Sequence, residues 1–305
     1  MTVRVAINGL GRVGQALLSV AAEQPGLEVV AVNDIAGPAR AAVDPRQIRV
    51  SALADPIDLP WADGQVDVAV ECTGRFTSRE GAAGHLVAGA HHVVVAGRGR
   101  RLDATVATGV NERTFDPRRH RLVSAGSCSG HAAAILTLVL AGRLGIRHAF
   151  VIEVGPSGPV VRPKPRRAGP PGTARSELLE MLPALEARVD CSEVRLAVDG
   201  GVVLVLVARV GEETSVREVN RDLARAATHG PMAGLLRCVH DPLDATDLAR
   251  ETASCVVSTA STRVDGCLVQ LVAQAGGVWS YAHRLAELSH LVGDRTRATL
   301  TATGP

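Results

Sequence analysis

The chain has 305 residues, of which 46% are hydrophobic and 21% are charged, and its formal net charge is +2. This composition is typical of a globular protein long enough for one large domain or two ordinary ones, and we expect two. The near-neutral charge and the 2% aromatic content argue against a nucleic-acid partner. The N-terminus lacks a basic flank with an apolar core, and the apolar run 202–207 is far too short to span a bilayer. We therefore expect a cytoplasmic protein without a membrane partner.

The cysteines are scattered along the chain and form no closely spaced pairs of the kind that bind metals. We expect reduced thiols and no metal site.

The N-terminal segment predicts a dinucleotide-binding turn. Residues 3–8 form a buried strand pattern, and an amphipathic helix pattern covers residues 15–22. Between them, Gly9 would make the tight turn, Gly11 would let the backbone approach a pyrophosphate, and Gly14 would let helix pack on strand. The helix N-terminus then offers free N–H groups to the phosphates.

An acidic residue follows the second predicted strand, residues 27–32, at the distance that the fingerprint requires. The carboxylate of Asp34 would accept hydrogen bonds from the ribose hydroxyls, and its charge would repel a ribose 2′-phosphate. The expected cofactor is therefore NAD rather than NADP. The alternative is a glycine-rich turn with a purely structural role.

The rest of the chain predicts a two-domain α/β protein. Strands and helices alternate up to Cys128, which favours a Rossmann-type parallel sheet, and a helix is predicted over 128–141. A mainly antiparallel sheet and helices should follow in an α+β catalytic domain. The predicted domains are 1–127, completed by a C-terminal helix in 277–305, and 128–276. The further predicted strands are 66–71, 92–96, 122–125, 146–154, 189–196, 202–210 and 267–273, and the further predicted helices are 78–87, 175–182, 216–227 and 279–291.

A proline- and glycine-rich loop is predicted over 155–172. It carries four basic residues, which are either a solvated charge run or a contact for an acidic substrate or partner: Arg162, Lys164, Arg166 and Arg167.

Several of these motifs together resemble the glyceraldehyde-3-phosphate dehydrogenase family across nearly the whole chain. They are the segments 6–14, 32–34, 71–77 and 109–111, and the segment 124–131, which resembles the family's Ser-Cys-Thr-Thr-Asn nucleophile segment. The resemblance implies a small-molecule substrate, and it implies that the cofactor is held by Asn8, Gly9, Gly11, Arg12, Val13, Gly14, Asp34, Thr73, Gly74 and Phe76.

The resemblance also places candidate catalytic residues. Cys128 takes the nucleophile's position, Arg195 that of a substrate-phosphate arginine, and Tyr281 that of a tyrosine near the nicotinamide. Three departures stand beside these matches. Gly155 lies where the family has its catalytic histidine, Gly277 replaces the asparagine that orients the nicotinamide amide, and two segments, after Asp34 and after Gly155, are shorter than in the family.

The candidate catalytic residues keep alternative interpretations. At a helix N-terminus, Cys128 should have a lowered thiol pKa and act as a nucleophile, or it is a relic. His131, one helical turn on, is a substitute base or a structural residue. Glu153 is an acid or base if the strand projects it into the pocket, and Arg195 is an anion anchor or a member of an ion pair.

The missing histidine makes non-redox acid–base chemistry our first expectation, such as dehydration or cyclisation in the tailoring of a specialised metabolite. The second is an NAD-dependent aldehyde oxidoreductase with Cys128 as nucleophile, and the third is a catalytically silent NAD-binding regulator. The resemblance implies a homo-oligomer, and the shortened segments leave dimer and tetramer open.

Overall fold

The computed structural model describes residues 2–37, 48–156, 173–196 and 201–302. The chain divides into two compact units, one made of Met1–Ser127 and Tyr281–Pro305 and the other of Cys128–Ser280. Within the described ranges, each unit contains its own seven-stranded sheet.

All strands of the first sheet are parallel, in the order β3-β2-β1-β4-β5-β7-β6. The central strands are buried almost completely, because helical crossovers cover the faces of such sheets, so that their sequences read as continuous apolar runs. The strands are β1 (Val3–Asn8), β2 (Leu27–Asn33), β3 (Arg49–Ser51), β4 (Val68–Glu71), β5 (His92–Val95), β6 (Ala104–Thr105) and β7 (Leu122–Ser124).

The helices of the first unit are α1 (Arg12–Glu23), α2 (Arg79–Val87) and, from Tyr281 onward, α7 (Val278–Ala302). Helix α7 is longer than predicted because Gly293 does not interrupt it. A Cβ at Gly293 would lie 2.2 Å from Cγ1 of Val3, so the glycine lets the helix approach β1 closely.

The second sheet has the order β11-β12-β14-β10-β8-β9, and β13 pairs with β14. Its strands are β8 (Ile146–Pro156), β9 (Val189–Leu196), β10 (Val203–Val210), β11 (Leu236–Val239), β12 (Cys255–Ser258), β13 (Arg263–Asp265) and β14 (Leu268–Ala275). The helices of this unit are α3 (Cys128–Leu144), α4 (Thr173–Met181), α5 (Val216–Thr228) and α6 (Ala245–Arg250). Helix α3 contacts β8, β10, β12 and β14, and it is apolar on nearly every face because it is buried in the unit's core.

The predicted α/β fold class is confirmed, with one correction. The predicted strand 189–196 was expected to join the mainly antiparallel sheet, but β9 pairs in parallel with β8, and β11 pairs in parallel with β12. A parallel neighbour needs a crossover connection, and α4 lies in the chain between β8 and β9. The second sheet is therefore mixed. Its pairings of β8 with β10, β10 with β14 and β14 with β12 are antiparallel.

Among the described residues, no disulfide joins two cysteines and no group of three or more histidines, cysteines or carboxylates is placed to hold a metal ion. No helix in the described part of the chain is both long and apolar enough to cross a membrane.

Candidate functional site

The first unit has a crevice at the carboxyl ends of its central strands. Strands β1, β2 and β4 end at Asn8, Asn33 and Glu71, and these residues are register partners across the sheet. The chain leaves β1 toward β2 on one side and returns to β4 on the other, which is the switch point where open α/β sheets bind ligands. A cavity of about 200 Å³ lies here, and its lining includes Asn8, Gly9, Gly11, Asp34, Thr73 and Phe76.

The three glycines of the turn have different roles. Gly9 has φ of +96°, which side chains rarely adopt, and a Cβ at Gly14 would lie 1.9 Å from the Gly9 carbonyl oxygen. A Cβ at Gly11 would meet nothing within 4 Å, so the backbone there faces open space. Helix α1 follows at once, with no side-chain cap and no acidic residue in its first turn. Its N-terminal N–H groups are therefore suited to a phosphate.

Asp34 is held rigidly at the edge of this cavity. Its two carboxylate oxygens accept backbone hydrogen bonds from Leu10, at 2.7 Å, and Ala36, at 2.9 Å. The loop at the other wall carries Phe76, and the guanidinium of Arg75 lies 5.5 Å from the centre of its ring. Arg12 and Val13 form the first turn of α1, where Arg12 is exposed and Val13 is half-buried.

Sequence reasoning missed a buried polar network beneath the cavity. The Glu71 carboxylate accepts hydrogen bonds from the Asn8 side chain (2.6 Å), from the backbone N–H of Thr73 (2.7 Å) and from Nε2 of His85 (3.1 Å). Nδ1 of His85 accepts a hydrogen bond from the Trp61 indole at 2.9 Å. Because an indole N–H only donates, Nδ1 of His85 is the acceptor of this bond, and Nε2 is the ring nitrogen that donates to Glu71. No local signal joins these residues, because Trp61, His85 and Glu71 come from separate segments that meet only in the folded unit.

In the second unit, Cys128 begins α3 and Ser129 fixes the start of that helix. The Ser129 hydroxyl donates a 2.7 Å hydrogen bond to the carboxylate of Glu153 on β8. Both side chains are buried, whereas Cys128 is half-buried. Strand β8 therefore projects Glu153 inward toward the start of α3, the orientation in which an acid or base role is possible.

The pKa of the Cys128 thiol is shifted in the direction opposite to the prediction. The helix N-terminus was expected to lower it, but burial raises the pKa of Cys128, and the negative charges of Glu153 and Glu177 raise it further. The backbone N–H groups of Ser129 and of Cys128 itself act in the opposite direction, and they are outweighed. Burial and two carboxylates therefore dominate over the helix dipole.

A second buried carboxylate lies beside the start of α3. Glu177 of α4 is 4% exposed, and its Oε1 lies 2.2 Å from the position that a Cβ of Gly130 would take. Only glycine at position 130 leaves room for it. Sequence reasoning did not identify Glu177, because α4 and the start of α3 lie far apart in the chain.

Arg195 is engaged by acidic residues. Its guanidinium forms ion pairs with Glu193 and, at 3.6 Å, with Glu153. Nη1 of Arg195 also lies 2.9 Å from the position of a Cβ on Gly155, the residue that the sequence resemblance aligns with the family's histidine. The side of β8 on which that imidazole would project is therefore filled by the guanidinium.

The remaining candidates are both buried. His131 lies on α3, one turn after Cys128, and is 2% exposed. In the first unit, the Tyr281 hydroxyl donates a 2.5 Å hydrogen bond to the carbonyl oxygen of Gly126, two residues before Cys128. Tyr281 thus anchors the backbone just before Cys128. Gly277 lies within the part of the chain that the structure describes and, as a glycine, has no side chain to form a hydrogen bond. The four basic residues of the predicted loop 155–172 lie outside the described residues.

Comparison with known proteins finds one matching family profile and several similar enzymes. The family profile described as "Glyceraldehyde 3-phosphate dehydrogenase, C-terminal domain" matches residues 165–275. The chain is 34% identical to the glyceraldehyde-3-phosphate dehydrogenase of Kitasatospora aureofaciens, with 96% of this chain and 99% of the relative covered. It is 35% identical to glyceraldehyde-3-phosphate dehydrogenase 1 of Streptomyces avermitilis with the same coverage. Identity to the enzyme of Geobacillus stearothermophilus is 30%, over 97% of this chain and 99% of the relative.

Proposed function

Because the chain belongs to the glyceraldehyde-3-phosphate dehydrogenase family, we propose that it is an NAD-dependent aldehyde oxidoreductase with Cys128 as its nucleophile. The observation that carries the proposal is the half-buried Cys128 thiol at the start of α3, with the Glu153 carboxylate held nearby through Ser129. The expectation of non-redox tailoring chemistry finds no support among the relatives, which are named as dehydrogenases. Hydride transfer therefore becomes the first candidate.

NAD is the cofactor expected of this family, and the crevice of the first unit fits it. Asp34 would bind the adenosine ribose, the open backbone at Gly11 and the start of α1 would bind the pyrophosphate, and Phe76 would flank the adenine. When bound, NAD supplies a hydride acceptor. The proposed ligand set is the ten cofactor residues inferred from the sequence.

The proposed roles in catalysis belong to the second unit's own residues. Glu153 accepts the proton of the Cys128 thiol, and the resulting thiolate attacks the aldehyde carbon to form a thiohemiacetal. Glu153 lies two residues before Gly155, the position that the resemblance aligns with the family's histidine. In this proposal Glu153 supplies the base that a glycine cannot provide. His131 and Arg195 are supporting candidates through their positions beside these groups, and Tyr281 is a positioning residue.

A second candidate is favoured by one observation. Burial and the charges of Glu153 and Glu177 raise the pKa of the Cys128 thiol, which disfavours the thiolate that the aldehyde reaction needs, whereas acid–base chemistry needs none. Non-redox acid–base chemistry and the silent NAD-binding regulator therefore remain outcomes of the test.

The test is NADH formation by the purified protein with NAD and a panel of aldehydes that includes glyceraldehyde and glyceraldehyde 3-phosphate. We expect aldehyde-dependent NADH formation that Cys128→Ala abolishes and the control Cys267→Ala retains. Turnover of a substrate without change in NAD would favour acid–base chemistry. A biological function that survives Cys128→Ala but not Asp34→Ala would favour the regulator. Homo-oligomer formation remains a prediction, and sedimentation would decide between dimer and tetramer.

A further inference from the structure

A groove of about 530 Å³ lies in the second unit between α3 and α5. Its apolar lining comes from the C-terminal half of α3, from Ala226 of α5 and from the turn Gly230–Met232 that follows α5. Leu138 and Val139 are half-buried, although residues 129–137 of the same helix are all buried. A cleft of this size with an apolar lining and a few polar groups is typical of small-molecule sites.

Gly142 leaves an open space in the wall of this groove. It lies in the last turn of α3, where glycine is a poorer helix former than alanine. Its backbone is not left-handed, and a Cβ there would meet nothing within 4 Å, whereas a Cβ at Gly130 of the same helix would lie 2.2 Å from Glu177. The packing of the described residues therefore does not require a glycine at position 142. A ligand in the groove does, because it needs the space that a side chain would fill.

The charged residues at the edge of the groove favour an anion. Arg143 is paired with Asp222 at 3.2 Å, so these two charges balance. Arg225 is exposed and has no ion-pair partner within the described part of the chain. The Nδ1 atom of His229 lies 2.8 Å from the Thr228 hydroxyl, which leaves Nε2 for another contact. The guanidinium of Arg225 is thus placed to bind a carboxylate or a sulfonate.

We propose that this groove binds a small amphipathic organic anion. Its apolar body would lie against Leu138, Val139 and Met232 in the space beside Gly142, and its anionic group would pair with Arg225. The site belongs wholly to the second unit and includes none of the candidate catalytic residues. It does not depend on the proposed function, because binding is measured without turnover.

The test uses two fluorescent probes with the same apolar body. Anilinonaphthalene sulfonate carries an anionic group, and N-phenylnaphthylamine carries none. Titrations are made with saturating NAD, so that NAD competes with the probes for the crevice of the first unit. We expect saturable binding of a single sulfonate probe per chain. Absence of saturable binding, or complete displacement of the probe by NAD, would overturn the proposal.

The variant Gly142→Leu fills the groove and should leave the fold intact, because its Cβ meets no other atom and leucine is the better helix former. It should abolish the binding of both probes and keep a thermal midpoint at or above that of the parent. The matched control Ala224→Leu adds the same side chain at an exposed position of α5 outside the groove. Parent-like binding by Gly142→Leu would place the probe elsewhere and contradict the proposal.

The variant Arg225→Gln tests the charge. It should weaken binding of the sulfonate probe by about fivefold, the effect of an exposed ion pair, and leave binding of the uncharged probe unchanged. Arg217→Gln, an exposed change on the same helix outside the groove, is the control. An equal loss for both probes, or no loss for either, would show that the groove does not select an anion.

Sedimentation of the same variants tests a second copy of the chain as the occupant. We expect the parent and Gly142→Leu to sediment alike. A parent that binds no probe, together with an oligomer that dissociates in Gly142→Leu, would make the groove an interface between copies and the proposal wrong.

Discussion

The hydroxyl of Ser129 and the carboxylate of Glu153 are joined by a buried 2.7 Å hydrogen bond, which ties the first turn of α3 to strand β8. The bond places an ionisable group at the start of α3, on a strand whose residue two positions further on, Gly155, has no side chain. Glu153 is therefore the residue whose replacement most directly tests the chemistry.

Replacing Glu153 with glutamine should lower kcat by about 10²- to 10⁴-fold, because the amide keeps an acceptor for Ser129 but cannot take a proton. The measurement is steady-state NADH formation with the best aldehyde. Glu186→Gln, which changes an exposed carboxylate of the same unit, is the matched control. Unchanged kcat in Glu153→Gln would remove this residue from the mechanism.

Cys128 should react slowly with iodoacetamide at neutral pH and faster as the pH rises, because burial, Glu153 and Glu177 raise its pKa. In Glu153→Gln the rate profile should move to lower pH, since one of the opposing charges is gone. Peptide mapping separates this thiol from Cys72 and Cys255, whose pKa values burial also raises. A profile centred below the ordinary thiol value of about 8.5 would contradict the expectation.

Asp34→Ala should weaken NAD binding by about 10- to 100-fold, because a hydrogen bond to a charged group contributes about 1.5–3 kcal/mol. It also removes the acceptor for the backbone of Leu10 and Ala36. Calorimetric titration with NAD measures the change, and Glu28→Ala, a surface change on β2, is the control. If both variants bind NAD as the parent does, the ribose role of Asp34 is wrong.

Glu71→Gln should reduce the free energy of unfolding of the first unit by about 1.5–3 kcal/mol, because a buried carboxylate that accepts several hydrogen bonds is replaced by an amide. The fluorescence of Trp61, read in a Trp279→Phe background, reports urea unfolding beside this network. The exposed Glu80→Gln on α2 should leave the midpoint nearly unchanged. A similar shift in both variants would argue against a special role of the network.

The stability of the first unit should fall in acid through His92. Burial lowers the pKa of His92 from 6.5 to about 4, while its Nε2 donates to the Pro117 carbonyl. Between these values the unfolded chain binds a proton that the folded chain does not. Stability is therefore complete above pH 6.5 and is lost as the pH falls toward 4, by about 3 kcal/mol.

The same Trp61 signal compares urea unfolding at neutral and acidic pH in the parent, in His92→Gln and in the exposed control His240→Gln. Only His92→Gln should lose less stability on acidification than the parent. Equal losses in all three proteins would exclude His92 as the source.

The sequence by itself determined the nucleotide-binding half of this protein. The glycines at positions 9, 11 and 14, the apolar strands and Asp34 act within one short stretch, where backbone sterics and side-chain periodicity suffice. The helix from Cys128 was predicted for the same reason, and its true start and the predicted start coincide.

Only the tertiary structure decided the chemistry around Cys128. The helix N-terminus is a local feature and predicted a lowered pKa, whereas burial and the charges of Glu153 and Glu177 come from β8 and α4. The pairing of Arg195 with acidic residues and the parallel setting of β9 have the same origin. Local sequence fixes which groups a segment carries, but pKa values and ion pairs depend on solvent exclusion and on charges from distant segments, which exist only once the chain is folded.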